Sequence, residues 1–225
     1  MNRQTLEVCF SGLLHDIGKL VYRAGENRDH ASAGYEYLKA RLEESGWKGV
    51  LDGVRWHHAS ALRQAKPAEA NLAYIVCVAD NVAAAADRRE IEGESARFDR
   101  TLPLHSVFSH LNGEHPRLAL EPCAQDGRLR LPGRPVPVAS GKYQALLAVF
   151  SQGFKGIALS EMWLDSLLAL LESCTANVPS STYTGESPDV SLYDHLKMTA
   201  AVGACISEYL LETGVTDYRE HVFQN

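Results

Sequence analysis

The stretch that decides the reading is "LLHDIGKL", residues 13–20. It sits in a run with apolar residues at Leu6, Cys9, Phe10, Leu13, Leu14, Ile17, Leu20 and Val21, a helical spacing over residues 4–23. His15, Asp16 and Lys19 interrupt that run. A carboxylate on an apolar helix face is costly unless it is paired or binds metal. Neighbouring side chains on a helix diverge by about 100°. His15 can therefore ligate one ion while the Asp16 carboxylate bridges two. Lys19 lies one turn beyond His15, placed to meet a phosphate or a leaving oxygen.

Working outward, similar interruptions recur. His30 opens "HASAG", and His57 and His58 are adjacent in "RWHHAS". Asp80 breaks the apolar run "YIVCVADNVAAAA", and His195 breaks "SLYDHLKMTAA". Each falls on a different expected helix, and helices around one core can aim such residues at one point. A mixed His/Asp set suits Mn, Fe, Co, Ni or Zn, whereas Mg or Ca prefers oxygen alone. Gly34, one turn after His30, leaves room for substrate or another helix. The alanines after Asp80 permit close packing. A lone buried His is more often a hydrogen-bonded core residue, and His105, His110, His115 and His221 are left so. Asp87 is read as a partner of Arg88 or Arg89 rather than a ligand.

Further helices are expected from a cap at Asp29 to Glu44, with Gly46 beyond it, and over Lys48–Ala61. Pro67 is expected to open the helix "PAEANLAYIVCVADNVAAAADRRE". "EIEGESARFDR" reads as a loop, "LPLHSVFSHL" as a short helix, and "RLALEPCAQDGRLRLPGRPVPV" as a β-hairpin with an extended exit. Helices resume at 141–151 and 156–174, and Ser191 caps a last long one, "LYDHLKMTAAVGACISEYLLE". The fold class is mostly α with a small β-hairpin-like insertion. The divisions are 1–95, an insertion at 96–140, a second helical part at 141–213, and a tail at 214–225.

The 225 residues suffice for one sizeable core. A net charge of −6 excludes a wholly basic surface for duplex nucleic acid. Five cysteines without a CxxC spacing point to reduced thiols and a cytoplasmic location. The N-terminus has no secretory signal pattern, and no run is long and apolar enough to span a membrane.

"HDIGK", "HASAG", "HH" and "ADN", in this order, resemble the HD-superfamily metal-dependent phosphohydrolases. That family usually carries a helix with a first His before the HD pair. No such helix precedes His15, but "SLYDHLKMTAA" looks like it, with His195 in the expected place. The order is that of a circularly permuted HD domain. It resembles the N-terminal HD nuclease domain of the large subunit of type III-A CRISPR–Cas effector (Csm) complexes. "HHASALR", "YIVCVADNVAAAADRRE", "LPLHSVF" and "VPSSTYTGESPDVSLYDHLKMTAAVGACI" also resemble that subunit.

The resemblance implies metal-dependent cutting of single-stranded DNA, with the palm domains, other Csm subunits and guide RNA as partners. Carried over by motif, His15, Asp16, Asp80 and His195 hold a first ion. Asp16, His30, His57 and His58 hold a second where two bind, and Lys19 assists at the phosphate. Mn, Ni or Co are the favoured ions, with Fe or Zn as alternatives. Arg55, Arg63, Lys66, Arg88 and Arg89 are candidates for the strand path, with a solvated charged face as the plain alternative for each. The GGDD motif of the later palm domains is absent, so no cyclic oligoadenylate synthesis is expected of this stretch, which is read as a truncated or separately encoded domain. Two rival readings are a nucleotide or second-messenger phosphohydrolase and a docking module with a vestigial metal site.

Overall fold

The computed structural model describes residues 1–85, 98–108, 111, 113, 116–123, 131–134, 137–183 and 188–224. It is mostly helical. The helices are α1 (Arg3–Leu14), α2 (Gly18–Arg23), α3 (His30–Glu44), α4 (Lys48–Trp56), α5 (Ala59–Ala65), α6 (Ala73–Ala85), α7 (Ser140–Gly156), α8 (Leu164–Thr175) and α9 (Leu192–Thr213).

α1 is the central helix. Every residue from Val8 to Leu14 is buried, the pattern of a helix covered on all sides. α9, α4 and α6 pack around it. Against α9 the approach is at backbone distance: a Cβ on Gly12 would come within 2.7 Å of the Ala200 Cα. Gly18 at the start of α2 lies equally close to α3, where a Cβ would collide with the His30 carbonyl and come within 2.6 Å of the Gly34 nitrogen.

The main core joins α1–α4 to α7–α9 through Phe10, Leu14, Leu38, Leu42, Phe150, Leu167 and Leu196. A second cluster of Leu62, Tyr74, Ile75, Cys77 and Leu210 takes in Tyr218 from the last segment. That segment, expected as a tail, packs back on the domain. The Phe223 ring lies 5.4 Å from Tyr74, and the Tyr218 hydroxyl donates to Gln4 Oε1 at 2.8 Å.

Caps appear where expected at two helices. Asp29 accepts from the Ser32 N–H to start α3, and Ser191 accepts from the Asp194 N–H to start α9. Each such cap contributes about 1 kcal/mol. Gly214, with φ of +70°, ends α9.

Several expected helices differ from those observed; the one expected over 156–174 is α8, which starts at Leu164. The run 4–23 breaks at His15–Ile17 into a tighter turn, with Ile17 N–H donating to Leu14 O and Lys19 N–H to Asp16 O. The run Lys48–Ala61 breaks at His57–His58. α6 starts at Ala73 rather than Pro67, because the Asn71 side chain accepts from the Ala73 N–H.

The arms of the expected hairpin pair through Arg117 and Gly133, and its QDG tip lies outside the described residues. Leu102–Phe108 is not helical; His105 pairs instead with Arg117. The cysteines are free thiols: Cys9, Cys77 and Cys174 are buried, Cys123 partly so, and Cys205 exposed. No described helix is long and apolar enough to cross a membrane.

Candidate metal centre

The two breaks place imidazoles. His15 ends α1 and turns its Nδ1 back to the Gly12 carbonyl at 2.8 Å. His57 ends α4 and does the same to the Val54 carbonyl, also at 2.8 Å. A carbonyl only accepts, so Nδ1 donates in both rings and Nε2 faces inward, an arrangement that orients metal-binding histidines.

Asp16 lies at the centre. Its Oδ2 is 2.6 Å from Lys19 Nζ, 3.2 Å from His15 Nε2 and 3.4 Å from His195 Nε2. Its Oδ1 faces His30 Nε2 at 3.3 Å and His57 Nε2 at 3.7 Å. Asp80, from α6, sets its Oδ1 3.0 Å from His195 Nε2 and 3.5 Å from His15 Nε2. His58 Nε2 is 2.9 Å from His30 Nε2.

Two donor sets result, each with its ligand atoms within 4.8 Å of one another: His15, Asp16, Asp80 and His195; and His30, His57 and His58. His15, Asp16, His57 and His195 are buried. His15 Nε2, His57 Nε2 and Asp16 Oδ1 are buried without a hydrogen-bond partner. Buried polar atoms are normally satisfied. Two imidazole nitrogens facing the Asp16 carboxylate, with one of that carboxylate's own oxygens, are what a bound cation would satisfy.

The charges divide the same way. Burial disfavours a charged His15, yet the Asp16 and Asp80 carboxylates outweigh it and hold its pKa at about 10. Burial opposes charge on His195 too, but hydrogen bonds to Asp16 and Asp80 raise its pKa. Asp16 and Asp80 pay for their burial with cationic neighbours. Lys19, His15 and His195 hold Asp16 well below the usual carboxylate range, and His15 and His195 do so for Asp80. On the other side burial dominates. It pushes His30 down to about 4, and together with the His15 charge it pushes His57 well down. These two rings are neutral near pH 7, the form that ligates a metal.

The cluster opens into a cavity of about 650 Å³. Lys19 is fixed on its wall, donating to the Ser180 carbonyl at 2.9 Å as well as to Asp16. The structure thus brings together His15, Asp16, Lys19, His30, His57, His58, Asp80 and His195.

Of the expected strand-path cations, Arg55, Arg63 and Lys66 do not line this cavity. Arg55 stacks on Tyr35 and Trp56, and Arg63 lies over Phe223. Lys66 ends α5 in a left-handed conformation with φ of +46°. Arg88 and Arg89, like Asp87, His110 and His115, lie outside the described residues. His105 is buried in the insertion, and His221 turns back to the Asp217 carbonyl.

The cavity also contains residues not singled out in the sequence: Tyr22, Phe98, Arg100 and Ser180–Tyr183. Tyr22 belongs to the first helical run, and Phe98, Arg100 and Ser180–Tyr183 to loops read as merely polar. An aromatic residue beside an arginine in "RFDR" was the available signal.

The HD domain family model matches residues 3–85, which contain His15 to Asp80 but not His195. The CRISPR system single-strand-specific deoxyribonuclease Cas10/Csm1 (subtype III-A) of Enterococcus italicus is 34% identical over 237 residues, covering 99% of this chain and 31% of the relative. The protein of the same description from Mycobacterium tuberculosis is 34% identical over 257 residues, with the same coverages. Among solved structures, Csm1 in the Csm1–Csm4 subcomplex of the type III-A CRISPR-Csm interference complex superposes with a TM-score of 0.70 at 26% identity, over 95% of this chain and 28% of that one. Csm1 of T. onnurineus gives 0.69 at 27% identity, over 91% and 28%. The chain therefore spans about a third of the length of these relatives. Residues 3–85 match the HD domain family, and over nearly its whole length the chain is homologous to the Cas10/Csm1 subunits of type III-A CRISPR systems.

Proposed function

We propose that this chain is a metal-dependent single-stranded DNA nuclease domain of a type III-A CRISPR–Cas effector, acting in the cytoplasm within an assembly of palm domains, other Csm subunits and guide RNA. The observation that carries the reading is the Asp16 carboxylate, which gives one oxygen to each of two imidazole clusters. The relatives are single-strand-specific deoxyribonucleases, which supports the substrate.

In this reading His15, Asp16, Asp80 and His195 hold one divalent ion, and His30, His57 and His58 with the other Asp16 oxygen hold a second. Histidine-rich sets of this kind favour Mn, Ni or Co, with Fe or Zn able to fit. Bound ions supply Lewis acidity and a hydroxide nucleophile at neutral pH. The chain's own groups do the rest. Asp16 fixes the spacing of the two clusters. Lys19, held by the Ser180 carbonyl, offsets the negative charge of a phosphodiester in the cavity. The His15 and His57 backbone hydrogen bonds prevent their rings from turning away. α9 carries His195 to Asp80 and Asp16, which supports the reading of 1–95 and 141–213 as two parts of one permuted domain.

The test is incubation of metal-free protein with labelled single-stranded and duplex DNA and RNA, adding Mn, Ni, Co, Mg and Zn in turn. Single-stranded DNA is expected to be cut with Mn, Ni or Co, and duplex DNA much more slowly. Equal rates on both, or no cutting with any metal, would count against the reading.

A further inference from the structure

Two loop segments complete the cavity wall, Phe98–Arg100 and Ser180–Tyr183. They run antiparallel: Phe98 pairs with Tyr183, and the Asp99 N–H donates to the Thr182 carbonyl at 2.9 Å. The Phe98 and Tyr183 rings lie 5.3 Å apart with planes at 59°. Cross-strand aromatic pairs of this kind normally serve to bury apolar surface. Here they do not, because Phe98 remains 73% exposed. An exposed phenyl ring forgoes stabilisation that burial would bring, and contiguous exposed apolar surface beside a site marks a contact.

The segments are firmly anchored on both sides. Asp99 Oδ1 accepts from the Thr101 N–H and hydroxyl at 2.8 and 2.7 Å. The Arg100 guanidinium lies 3.5 Å over the Tyr22 ring and donates to the Tyr22 carbonyl, which ties the loop to α2, the helix of Lys19. At the other end Ser180 accepts from Lys19, which in turn contacts Asp16. Three residues of chain reach at most about 11 Å, so Tyr183 stays close to Ser180. The aromatic pair is thus set within a short span of the metal cluster, with a cation beside it.

We infer that Phe98 and Tyr183 form a base-stacking platform for single-stranded DNA at the mouth of the metal site, with Arg100 set to meet a backbone phosphate. This rests on the nuclease reading for the identity of the ligand. Every base offers a π-face, so stacking holds a strand without selecting its sequence. In a duplex those faces are already covered by neighbouring bases, and the platform has nothing to receive. It therefore discriminates single strands from duplex without any base-edge contact.

The test measures binding of a fluorescent oligothymidylate, and of an abasic strand of the same length, to the 225-residue chain by anisotropy. Phe98→Ala and Tyr183→Ala are each expected to weaken oligothymidylate binding about 5- to 100-fold. Phe98→Tyr and Tyr183→Phe should restore it, and abasic-strand binding should be unchanged throughout. Circular dichroism and thermal midpoint should be unchanged in Phe98→Ala, since its ring is mostly in solvent. Unchanged oligothymidylate binding by both alanine variants, equal weakening of both strands, or no binding to the parent chain would overturn the platform. A metal-supplemented cleavage assay separates the two readings. Binding through Phe98 without any cutting removes the nuclease and leaves the platform. Cutting that is indifferent to Phe98→Ala and Tyr183→Ala removes the platform and leaves the nuclease.

Discussion

The Asp16 carboxylate presents Oδ2 to His15, His195 and Lys19, and Oδ1 to His30 and His57. Asp16→Asn keeps the size but loses the charge that serves both donor sets. Bound metal and cleavage should fall together while helical content stays, checked by elemental analysis of the purified variant beside its activity. Wild-type cutting by Asp16→Asn would rule out this site. His15 carries the pH dependence. Its folded pKa of about 10 lies above the ordinary 6.5. In the metal-free chain the stabilisation from its proton is therefore complete below about pH 6.5 and lost as pH rises through about 10. Because Nδ1 donates to Gly12, the proton that leaves is the one on Nε2, the atom a metal must take. Metal binding at pH 7 should release about one proton or more. Affinity should rise with pH across that window. Calorimetry in buffers of different ionisation enthalpy reads the release directly, and a heat independent of buffer would contradict it.

At the scale of elements, the site depends on two glycine crossings. A Cβ on Gly12 would meet the Ala200 backbone, and one on Gly18 would meet the backbone of α3. Backbone cannot rotate aside, so the helices must separate. Overpacking of this kind costs about 1–3 kcal/mol or more. Gly12→Val should lower the thermal midpoint, and because it displaces α9 it should also weaken metal binding through His195. A variant that loses stability but retains full metal affinity would show that α9 does not hold the site through this crossing.

His15, Asp16, Asp80 and His195 were legible because each interrupts an apolar helical run, and His30 and His57 because they stand in "HASAG" and in the adjacent pair of "RWHHAS". The caps at Asp29 and Ser191 were legible for the same local reason. The breaks at His15–Ile17 and His57–His58 were not. Both segments keep helical periodicity, and the first bends where Gly18 must fit against Gly34, a contact that periodicity does not encode. Phe98, Arg100 and Tyr183 were hidden because they belong to loops that meet only through tertiary structure.

At the scale of the whole molecule, residues about 180 positions apart meet at one point. α9 brings His195 from the far end of the chain to within 3.0 Å of Asp80 and 3.4 Å of Asp16. This closure is what a permuted HD domain requires. A chain ending before Ser191 should lose both the metal and much of the fold, since α9 buries Leu192, Leu196, Ala200 and Leu210. His195→Ala alone should weaken metal binding about 10-fold or more while leaving the fold intact, following the sensitivity of such sites to their ordered ligands. With a net charge of −6, the proposed polyanionic substrate would be gripped locally, by the ions, Lys19 and the cavity rim.

The most direct measurement is anomalous diffraction from crystals soaked in manganese. The expected result is a peak enclosed by His15, Asp16, Asp80 and His195, with ligand distances of about 2.0–2.3 Å, and a second, where it binds, between the other Asp16 oxygen and His30, His57 and His58. A peak that leaves His195 Nε2 more than about 4 Å away, or no peak within the cluster, would contradict the permuted metal centre.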